Sequence, residues 1–432
     1  MLRRAVLLSI LASLSVASFA SESRLTGETK PPENLPPALG ADQESEPWPI
    51  RLMIGDIKGG MMVRLPVVDT DPNRGVTYGI MPILVFKEDG STRIRQIHAP
   101  SLTHNEIFGY VPTYRYYLYP NDISALNLRI AGSMHADKEF MAAYEDSDFL
   151  ARGWAVGWKA QYNVDGANRF FGLGPDSARL DEVNYTRYTL QHFIRLGLPI
   201  FKGSGWKFNV SHHIASEKLT NGPIDALPDL AVKFPEQAPM HAHQDGELQF
   251  FMDYDTRDNG VTTTRGSYAK IFLENAQREV GSEFAFQRYG TEYRYFLPHG
   301  KDSRLVGAAH LRYEQLVGNA PFYLLPQLGG KEILRAYGTG RYVDRGLLVA
   351  NFEERITLFK LPVAGVVTEY ELAPFCGLGT VFNGPERLSS HYARPVVGAA
   401  VRAIARPQVV GSIDFGVGKE GLAVFMDINY PF

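Results

Sequence analysis

Apolar and polar side chains alternate with a two-residue period along most of this 432-residue chain, and this constrains the fold more than any other feature. Successive side chains of a β-strand point to opposite faces, so each alternating segment predicts a strand with one apolar and one polar face. In the last such segment the apolar face holds Leu422, Val424, Met426, Ile428, Tyr430 and Phe432. In earlier segments the polar face carries many charges, among them Arg288, Glu292, Arg294, His310, Arg312, Glu314 and Arg402.

A soluble β-sandwich would also alternate, so the pattern alone leaves two folds open. A charged face opposite an apolar one, in strand after strand, favours a barrel with lipid outside and water inside. The connections also alternate in length, as in bacterial outer-membrane barrels. Short turns are predicted near 202–203, 259–260, 299–300, 360–361 and 406–407, and long connections at 164–181, 218–244, 317–344 and 383–393.

We therefore predict an all-β fold, an antiparallel transmembrane β-barrel of about 16 strands with both ends periplasmic. The first strand is expected near residues 75–87. About eleven strands precede the long 317–344 connection and five follow it, an even total as single-chain bacterial barrels require.

The N-terminal segment predicts export. Arg3 and Arg4 precede an apolar stretch, and 18–20 offer a small-x-small cleavage site, so residues 1–20 are expected to be a signal peptide. Residues 21–60 are polar and Pro-rich, which predicts a periplasmic linker that cannot bury a core. The barrel is expected to span residues 61–432.

Composition excludes several classes of protein. The net charge of −3 suggests no nucleic-acid partner. Cys376 is the single cysteine, so no intrachain disulfide can form. After the signal there is no charge-free apolar run of roughly 18 residues, so no transmembrane helix is expected.

No metal, cofactor or catalytic site is predicted. His241, His243 and Asp245 lie close together, but at the end of a long loop and without a complete ligand set. His212 and His213 point to opposite faces of a strand. Neither G-x-S-x-G nor H-E-x-x-H occurs, so we predict that the protein is not an enzyme. An outer-membrane hydrolase with Ser, His and acid on separate strands is the alternative.

The segment 328–355 resembles the bacterial surface antigen barrel family, the BamA/TamA superfamily. That family carries a V/L-R-G-F/Y motif after a Gly-Gly pair in its long sixth extracellular loop, followed by E-x-R on the next strand. Here Gly329 and Gly330 precede the motif, and the other matching residues are Leu334, Arg335, Ala336, Tyr337, Glu353 and Arg355. Ala336 stands in place of the motif glycine.

The resemblance implies that the sixth loop folds into the lumen, where its arginine pairs with acidic side chains. The lumen aspartate of the family is replaced here by Gly377. Glu369 and Glu371 share a face with Gly377, and Glu353 lies on the polar face of the adjacent strand. We therefore predict that Glu371 holds Arg335, assisted by Glu369 or Glu353, with Arg355 also on a lumen strand. A solvated loop arginine is the alternative.

The resemblance also implies location and function. It predicts an outer-membrane protein that helps to insert or translocate protein or lipid, through a weakly paired junction between the first and last strands that the loop braces. The alternative is a passive porin-like channel or a structural surface antigen. The family's periplasmic POTRA domains need more chain than residues 21–60, so a barrel without them is expected.

The expected partners are outer-membrane lipid and, during biogenesis, the barrel assembly machinery. The machinery would recognise the C-terminal signal Met426, Ile428, Tyr430 and Phe432. The client protein or lipid is unknown.

Overall fold

The structure, a computed structural model, describes residues 54–88, 94–121, 123–201, 203–238, 241–300, 304–363, 366–405, 409–428 and 430–432. The predicted signal peptide and residues 21–53 of the predicted linker lie outside the described residues. Residues 54–57, also assigned to the linker, form a short strand instead. Among the described residues, no helix has the length and apolar character that crossing a membrane requires.

The chain is a succession of antiparallel strands. In chain order they are β1 Ile54–Ile57, β2 Gly60–Asp71, β3 Gly75–Lys87, β4 Ile94–Asn105, β5 Gly109–Leu118, β6 Ser124–Gly132, β7 Asp137–Phe149, β8 Trp154–Phe170, β9 Val183–Pro199, β10 Trp206–Asn221, β11 His243–Asp255, β12 Gly266–Ala276, β13 Ala285–His299, β14 Leu305–Asn319, β15 Gln327–Leu328, β16 Tyr342–Val343, β17 Gly346–Val363, β18 Val366–Phe382, β19 Arg394–Ala405, β20 Val409–Gly418 and β21 Gly421–Ile428. The one α-helix among the described residues is the single turn Leu230–Lys233.

Eighteen strands, β2–β14 and β17–β21, form the wall of a nearly closed barrel. Each pairs with the next along the chain, and β14 pairs with β17 across the intervening loop. The first and last wall strands meet where the Thr70 hydroxyl donates a hydrogen bond to the Val424 carbonyl, at 3.0 Å. We call this junction of β2 and β21 the seam.

The predicted strand number was too low by two. One omission is β2 itself, which contains Pro66, a residue that sheets tolerate at edge strands such as this one. The other lies in the four strands between residues 94 and 149. Their turn at 106–108 contains Ile107 and Phe108, and Phe108 packs against Val111 and Ala167 rather than entering solvent. Asn105 and Gly109 border this turn, but Ile107 and Phe108 continue the apolar character of the flanking strands, so the limits of the hairpin are unclear in the sequence.

The wall has an apolar exterior and a charged interior, as predicted. Outward side chains with large exposed fractions include Ile80, Tyr110, Phe140, Leu190, Ile271, Leu311, Val397 and Leu422. Lumen-facing charged residues of the wall strands are buried, including Arg115, Glu139, Glu217, Glu247, Glu292 and Glu314. An apolar band facing outward around a polar lumen is the arrangement of transmembrane barrels.

The long connections at 171–182, 222–242, 320–345 and 383–393 share one rim, as predicted. The 320–345 loop is the seventh connection on that rim rather than the sixth, because two strands were missed upstream. On the opposite rim, the connection at 256–265 is longer than the turn predicted near 259–260. Thr262 and Thr263 are buried, and the Thr263 carbonyl accepts a hydrogen bond from Arg355 at 3.1 Å.

The C-terminal residues do not continue the outer face. Pairing of β21 with β20 ends at Ile428, and Tyr430 and Phe432 are then buried inside the barrel. Phe432 packs against Phe296 and Ala308, and its ring stacks on His310 with centroids 5.1 Å apart. The prediction that Phe432 faces lipid is therefore wrong, because alternation assigns a face only while the strand continues.

Candidate functional site

The loop at residues 320–345, which we call the plug loop, folds into the lumen. Its two arms pair as the β15–β16 ribbon, and Gly329 and Gly330 turn the chain with positive φ angles of 127° and 87°. The apolar side chains of the loop then pack on the inner wall of β17–β19. This cluster comprises Leu328, Leu334, Ala336, Tyr337, Tyr342, Leu347, Val349, Phe375, Val381 and Val396. Burial of this apolar surface anchors the loop inside the barrel.

Arg335 lies at the innermost part of the plug loop and is 2% exposed. Its Nη1 atom is 2.9 Å from Glu353 Oε2 and 3.0 Å from Asp414 Oδ1. The guanidinium also stacks on Phe375, with Cζ 3.7 Å from the ring centre. Arg335 is thus a buried ion-pair residue and not a solvated loop arginine.

The structure brings together Arg335 and Glu353, but it does not pair Arg335 with Glu371. Glu371 accepts hydrogen bonds from Arg402 at 2.8 Å and from the Tyr430 hydroxyl at 3.1 Å. Glu369 pairs with Lys360 at 2.6 Å, near the other end of the wall. The two-residue alternation placed both glutamates on the lumen face correctly. It does not specify how far along the barrel axis the loop arginine reaches.

Two residues of this site were not predicted, Asp414 on β20 and Arg402 on β19. The plug loop runs directly over β20: a Cβ atom on Gly416 would lie 1.5 Å from the Arg335 carbonyl oxygen. Asp414, two residues before Gly416 on the same face, is therefore the nearest carboxylate of that strand. The parity of β20 was a usable signal, since it places Asp414 inward.

Three arginines and three carboxylates form one buried network, which we call the lumen charge cluster: Arg335, Arg355, Arg402, Glu353, Glu371 and Asp414. Glu353 is at its centre because it accepts from all three arginines, at 2.9 Å from Arg335, 2.7 Å from Arg355 and 2.9 Å from Arg402. The formal charges balance. Buried ion pairs of this kind require such complete mutual compensation.

Arg355, predicted on a lumen strand, connects the cluster to the opposite rim. Besides Glu353 it donates to the carbonyl oxygens of Thr263 and Phe432, each at 3.1 Å. Its guanidinium also lies 3.7 Å from the Tyr430 ring centre. Of the predicted C-terminal signal, Tyr430 and Phe432 therefore contact the lumen charge cluster, while Met426 lies on β21 in the wall. The side chain of Ile428 lies outside the described residues.

An aspartate in place of Gly377 would crowd two neighbouring side chains. A Cβ atom there would lie 2.4 Å from Asn351 Oδ1 and 3.3 Å from a methyl group of Leu334. Asn351 uses its amide to donate to the Ile333 carbonyl of the plug loop, at 2.9 Å. The space beside β18 is thus filled by packing, and β17 and β20 supply the carboxylates that bind Arg335.

Ala336, in place of the motif glycine, fits because β20 presents glycine opposite it. A Cβ atom on Gly418 would lie 3.0 Å from the Ala336 methyl group. The adjacent Tyr337 hydroxyl accepts a hydrogen bond from the Lys419 amide at 3.1 Å. Burial raises the pKa of the Tyr337 phenol above its ordinary value.

The plug loop contacts both hairpins that border the seam. Asn73, between β2 and β3, donates to the Thr339 carbonyl at 2.8 Å. Arg341 pairs with Glu420, between β20 and β21, and its Nε lies 2.7 Å from Oε1. Arg341 also donates to Ser177 in the 171–182 connection. The loop therefore bridges the two sides of the seam at the long-loop rim.

An apolar exterior, a charged lumen and a loop fixed inside by a buried arginine together define an outer-membrane β-barrel. The family model described as the Omp85 superfamily domain matches residues 124–418. The chain belongs to the Omp85 superfamily and is a protein of the bacterial outer membrane.

Solved structures of similar fold include BamA from Haemophilus ducreyi lacking POTRA domains 1–3, at 15% identity and a TM-score of 0.51, covering 86% of this chain and 69% of that one. CdiB from Acinetobacter baumannii matches at 11% identity and a TM-score of 0.43, covering 85% of this chain and 59% of that one. CdiB from Escherichia coli matches at 11% identity and a TM-score of 0.47, covering 85% of this chain and 62% of that one. No curated protein gives a significant match.

Proposed function

We propose that this barrel assists the insertion or translocation of protein or lipid at the outer membrane by opening laterally at its seam. The observation that carries the proposal is the lack of regular backbone pairing at this junction. Within the described residues β2 and β21 share no ladder of backbone pairs, whereas all other neighbouring wall strands do. In lipid an unpaired backbone group is costly, so separation begins where the fewest pairs must break.

Both edges of the seam depart from regular wall structure. On one side, β1 pairs with residues 60–63 of β2 and so occupies part of its outer edge. On the other side, β21 ends at Ile428, and Tyr430 and Phe432 lie in the lumen. The hydrogen bond that joins the two wall strands, from Thr70 to Val424, lies towards the long-loop rim.

The plug loop is the brace of this seam in the proposed mechanism. Its contacts with Asn73 and Glu420 hold the two bordering hairpins together. The lumen charge cluster in turn fixes the loop, since Arg335 joins β17 and β20. The proposed opening needs no chemical step.

The proposal is tested by closing the seam covalently. A Thr70→Cys, Val424→Cys variant in a Cys376→Ser background would be reconstituted into liposomes, with and without reductant. The probe is an unfolded small outer-membrane barrel, whose folding into the vesicles is followed by its altered gel mobility. We expect the reduced protein to accelerate folding over empty liposomes and the disulfide to abolish the acceleration.

A disulfide elsewhere in the wall is the control. Tyr293 and Leu311 are paired neighbours on the outer face of β13 and β14, and a Tyr293→Cys, Leu311→Cys disulfide should leave the acceleration intact. Equal folding rates with and without this protein, or equal rates with the seam open and closed, would contradict the proposal.

A passive channel is the second candidate, and one observation favours it. Beside the plug loop a cavity of about 390 Å³ remains, bordered by charged lumen residues that include Lys159, Glu247, Arg312 and Glu314. Water and small ions could pass if this cavity connects the two rims.

The barrel assembly machinery remains a proposed partner. Because Tyr430 and Phe432 are buried in the folded barrel, we infer that the C-terminal signal is recognised before the barrel closes. Truncation of residues 430–432 should then reduce outer-membrane assembly in cells, while substituting exposed Leu388 should not.

A further inference from the structure

A second group of titratable side chains lies on the lumen face of β10 and β11, apart from the lumen charge cluster. His213, Asp245 and Glu247 each present one ligand atom, and these atoms lie within 4.8 Å of one another. His213 is the direct pairing partner of Glu247 across the two strands. We propose that these three side chains bind a divalent transition-metal ion, with Zn²⁺ as the best-suited ion.

The protonation of His213 follows from a chain of side-chain hydrogen bonds. The Glu139 carboxylate can only accept, and Gln161 Nε2 donates to it at 2.9 Å. Gln161 Oε1 therefore accepts from Gln191 Nε2, at 2.7 Å. This leaves Gln191 Oε1 facing His213 Nε2 at 2.8 Å, so that ring nitrogen must carry the hydrogen.

The other ring nitrogen of His213 then faces a carboxylate with its lone pair. Nδ1 lies 3.3 Å from Glu247 Oε2. Two lone pairs at this separation repel each other unless a cation lies between them, either a proton on Nδ1 or a metal ion. A metal-bound histidine characteristically donates its second N–H to an oxygen acceptor, as His213 does to Gln191.

The environment of Asp245 favours a metal ion over a proton. It is 1% exposed, and among the described residues its Oδ2 atom has no hydrogen-bond partner, while Oδ1 accepts from Ser282 at 3.3 Å. A proton on His213 would compensate Glu247 and leave this buried oxygen without a partner, which is costly. A metal ion would bind Asp245 as well as His213 and Glu247.

The geometry around Glu247 is compatible with a bound ion. Arg288 approaches Glu247 through the other carboxylate oxygen, Oε1, at 3.6 Å. The separation of 3.3 Å between His213 Nδ1 and Glu247 Oε2 is close to the edge of a tetrahedral zinc site, about 3.4 Å. The 390 Å³ cavity borders all three side chains and provides a path for the ion.

The ligand set selects the class of ion. Imidazole nitrogen and carboxylate oxygen are both ligands that zinc takes in proteins, whereas Ca²⁺ and Mg²⁺ prefer oxygen ligands alone. An ion at this position would join β10 to β11 below the 222–242 connection. The proposal is independent of lateral opening at the seam, which lies on other strands.

The test is metal binding by the folded protein. Purified barrel in detergent, stripped with EDTA, would be titrated with Zn²⁺ by calorimetry and with Co²⁺ by visible absorption. We expect one equivalent to bind and affinity to fall at least tenfold in His213→Ala and in Asp245→Asn. His212→Ala is the matched control, because His212 neighbours His213 but points to the other face of β10.

Folding of each variant would be verified by its gel mobility before heating. Unchanged affinity in folded His213→Ala or Asp245→Asn would overturn the proposal, as would absence of stoichiometric Zn²⁺ binding to the unmodified protein. Imidazolium nitrogen shifts for His213 that Zn²⁺ does not alter would identify the cation as a proton and equally overturn it.

Discussion

Arg335 and Asp414 are 79 residues apart in the sequence, yet Nη1 of the arginine lies 3.0 Å from Oδ1 of the aspartate inside the barrel. The pair joins the plug loop to β20, next to the last strand of the wall. In the family pattern a carboxylate on β18 would hold the loop, but Gly377 occupies that position here. The loop arginine therefore keeps its ion pairs, but the carboxylates come from β17 and β20 instead of β18.

Glu353→Gln should destabilise the barrel strongly. Glu353 is fully buried and accepts from three arginines, so the substitution leaves two carboxylates for three buried guanidinium groups. Removal of one partner from a buried ion pair typically costs about 3–5 kcal/mol. Thermal unfolding in detergent, followed by gel mobility, should show a markedly lower midpoint.

Glu369→Gln is the matched control for that experiment. Glu369 also lies on the lumen face, but its partner Lys360 has a side chain that is 58% exposed. Ion pairs with a solvated partner contribute about 0–1 kcal/mol. Equal loss of stability in the two variants would show that the charge cluster is not a special feature of the lumen.

Gly377→Asp, which restores the family's aspartate, should loosen the plug loop rather than strengthen it. The new Cβ atom would lie 2.4 Å from Asn351 Oδ1 and 3.3 Å from a methyl group of Leu334, so both side chains would have to shift. It would also add a negative charge beside the plug loop, whose ion pairs are already balanced. We expect faster tryptic cleavage within residues 331–345 of the folded protein; slower cleavage would refute this account.

The sequence predicted the arginine of this site but only part of its surroundings. The motif identified Arg335, and strand parity placed Glu353, Glu369 and Glu371 in the lumen. Parity does not determine the path of the loop backbone, which depends on Gly416 and Gly418 leaving a groove on β20. For that reason parity alone points to Glu371, whereas Arg335 binds Glu353 and Asp414 in the structure.

The wall of the barrel was more predictable than its ends. Alternation is a local property that persists over a whole strand, so the lipid-facing and lumen-facing sides followed from it. The limits of the turn with Phe108 are unclear in the sequence, because the apolar side chain of this turn packs inward and resembles a strand residue. The inward position of Phe432 depends on a lumen pocket formed by Phe296 and Ala308, which are far away in the sequence.

Gly416→Ala should displace the plug loop from the inner face of β20. A methyl group there would lie 1.5 Å from the Arg335 carbonyl oxygen, so the loop backbone has to move away from β20. We expect increased tryptic cleavage after Arg335 and Arg341 in the folded protein. Gly132→Ala is the control, because its methyl group would meet no atom within 4 Å and cleavage should be unchanged.

Cys376 offers a direct test of the lipid-facing side. It is exposed on β18 between the inward positions of Phe375 and Gly377. A nitroxide attached to Cys376 in liposomes should be relaxed more by oxygen, which partitions into hydrocarbon, than by a water-soluble nickel complex. Met134→Cys in a Cys376→Ser background should give the reverse, because Met134 is 95% exposed on the 133–136 turn. Preferential relaxation of Cys376 by nickel would refute the assigned orientation.

Deletion of residues 329–341, with the β15 and β16 arms joined by a short glycine linker, should convert the barrel into an open pore. These residues carry Leu334, Arg335 and Tyr337, which fill the lumen beside β17–β20. In planar bilayers we expect small, intermittent conductance from the intact protein and large, steady conductance from the deletion variant, because water then fills the vacated space. Arg335→Ala should give intermediate, flickering openings, since the loop keeps its apolar anchors but loses its ion pairs. Large steady conductance in the intact protein would instead establish that the cavity beside the loop already connects the two rims, and would favour the passive channel over lateral opening.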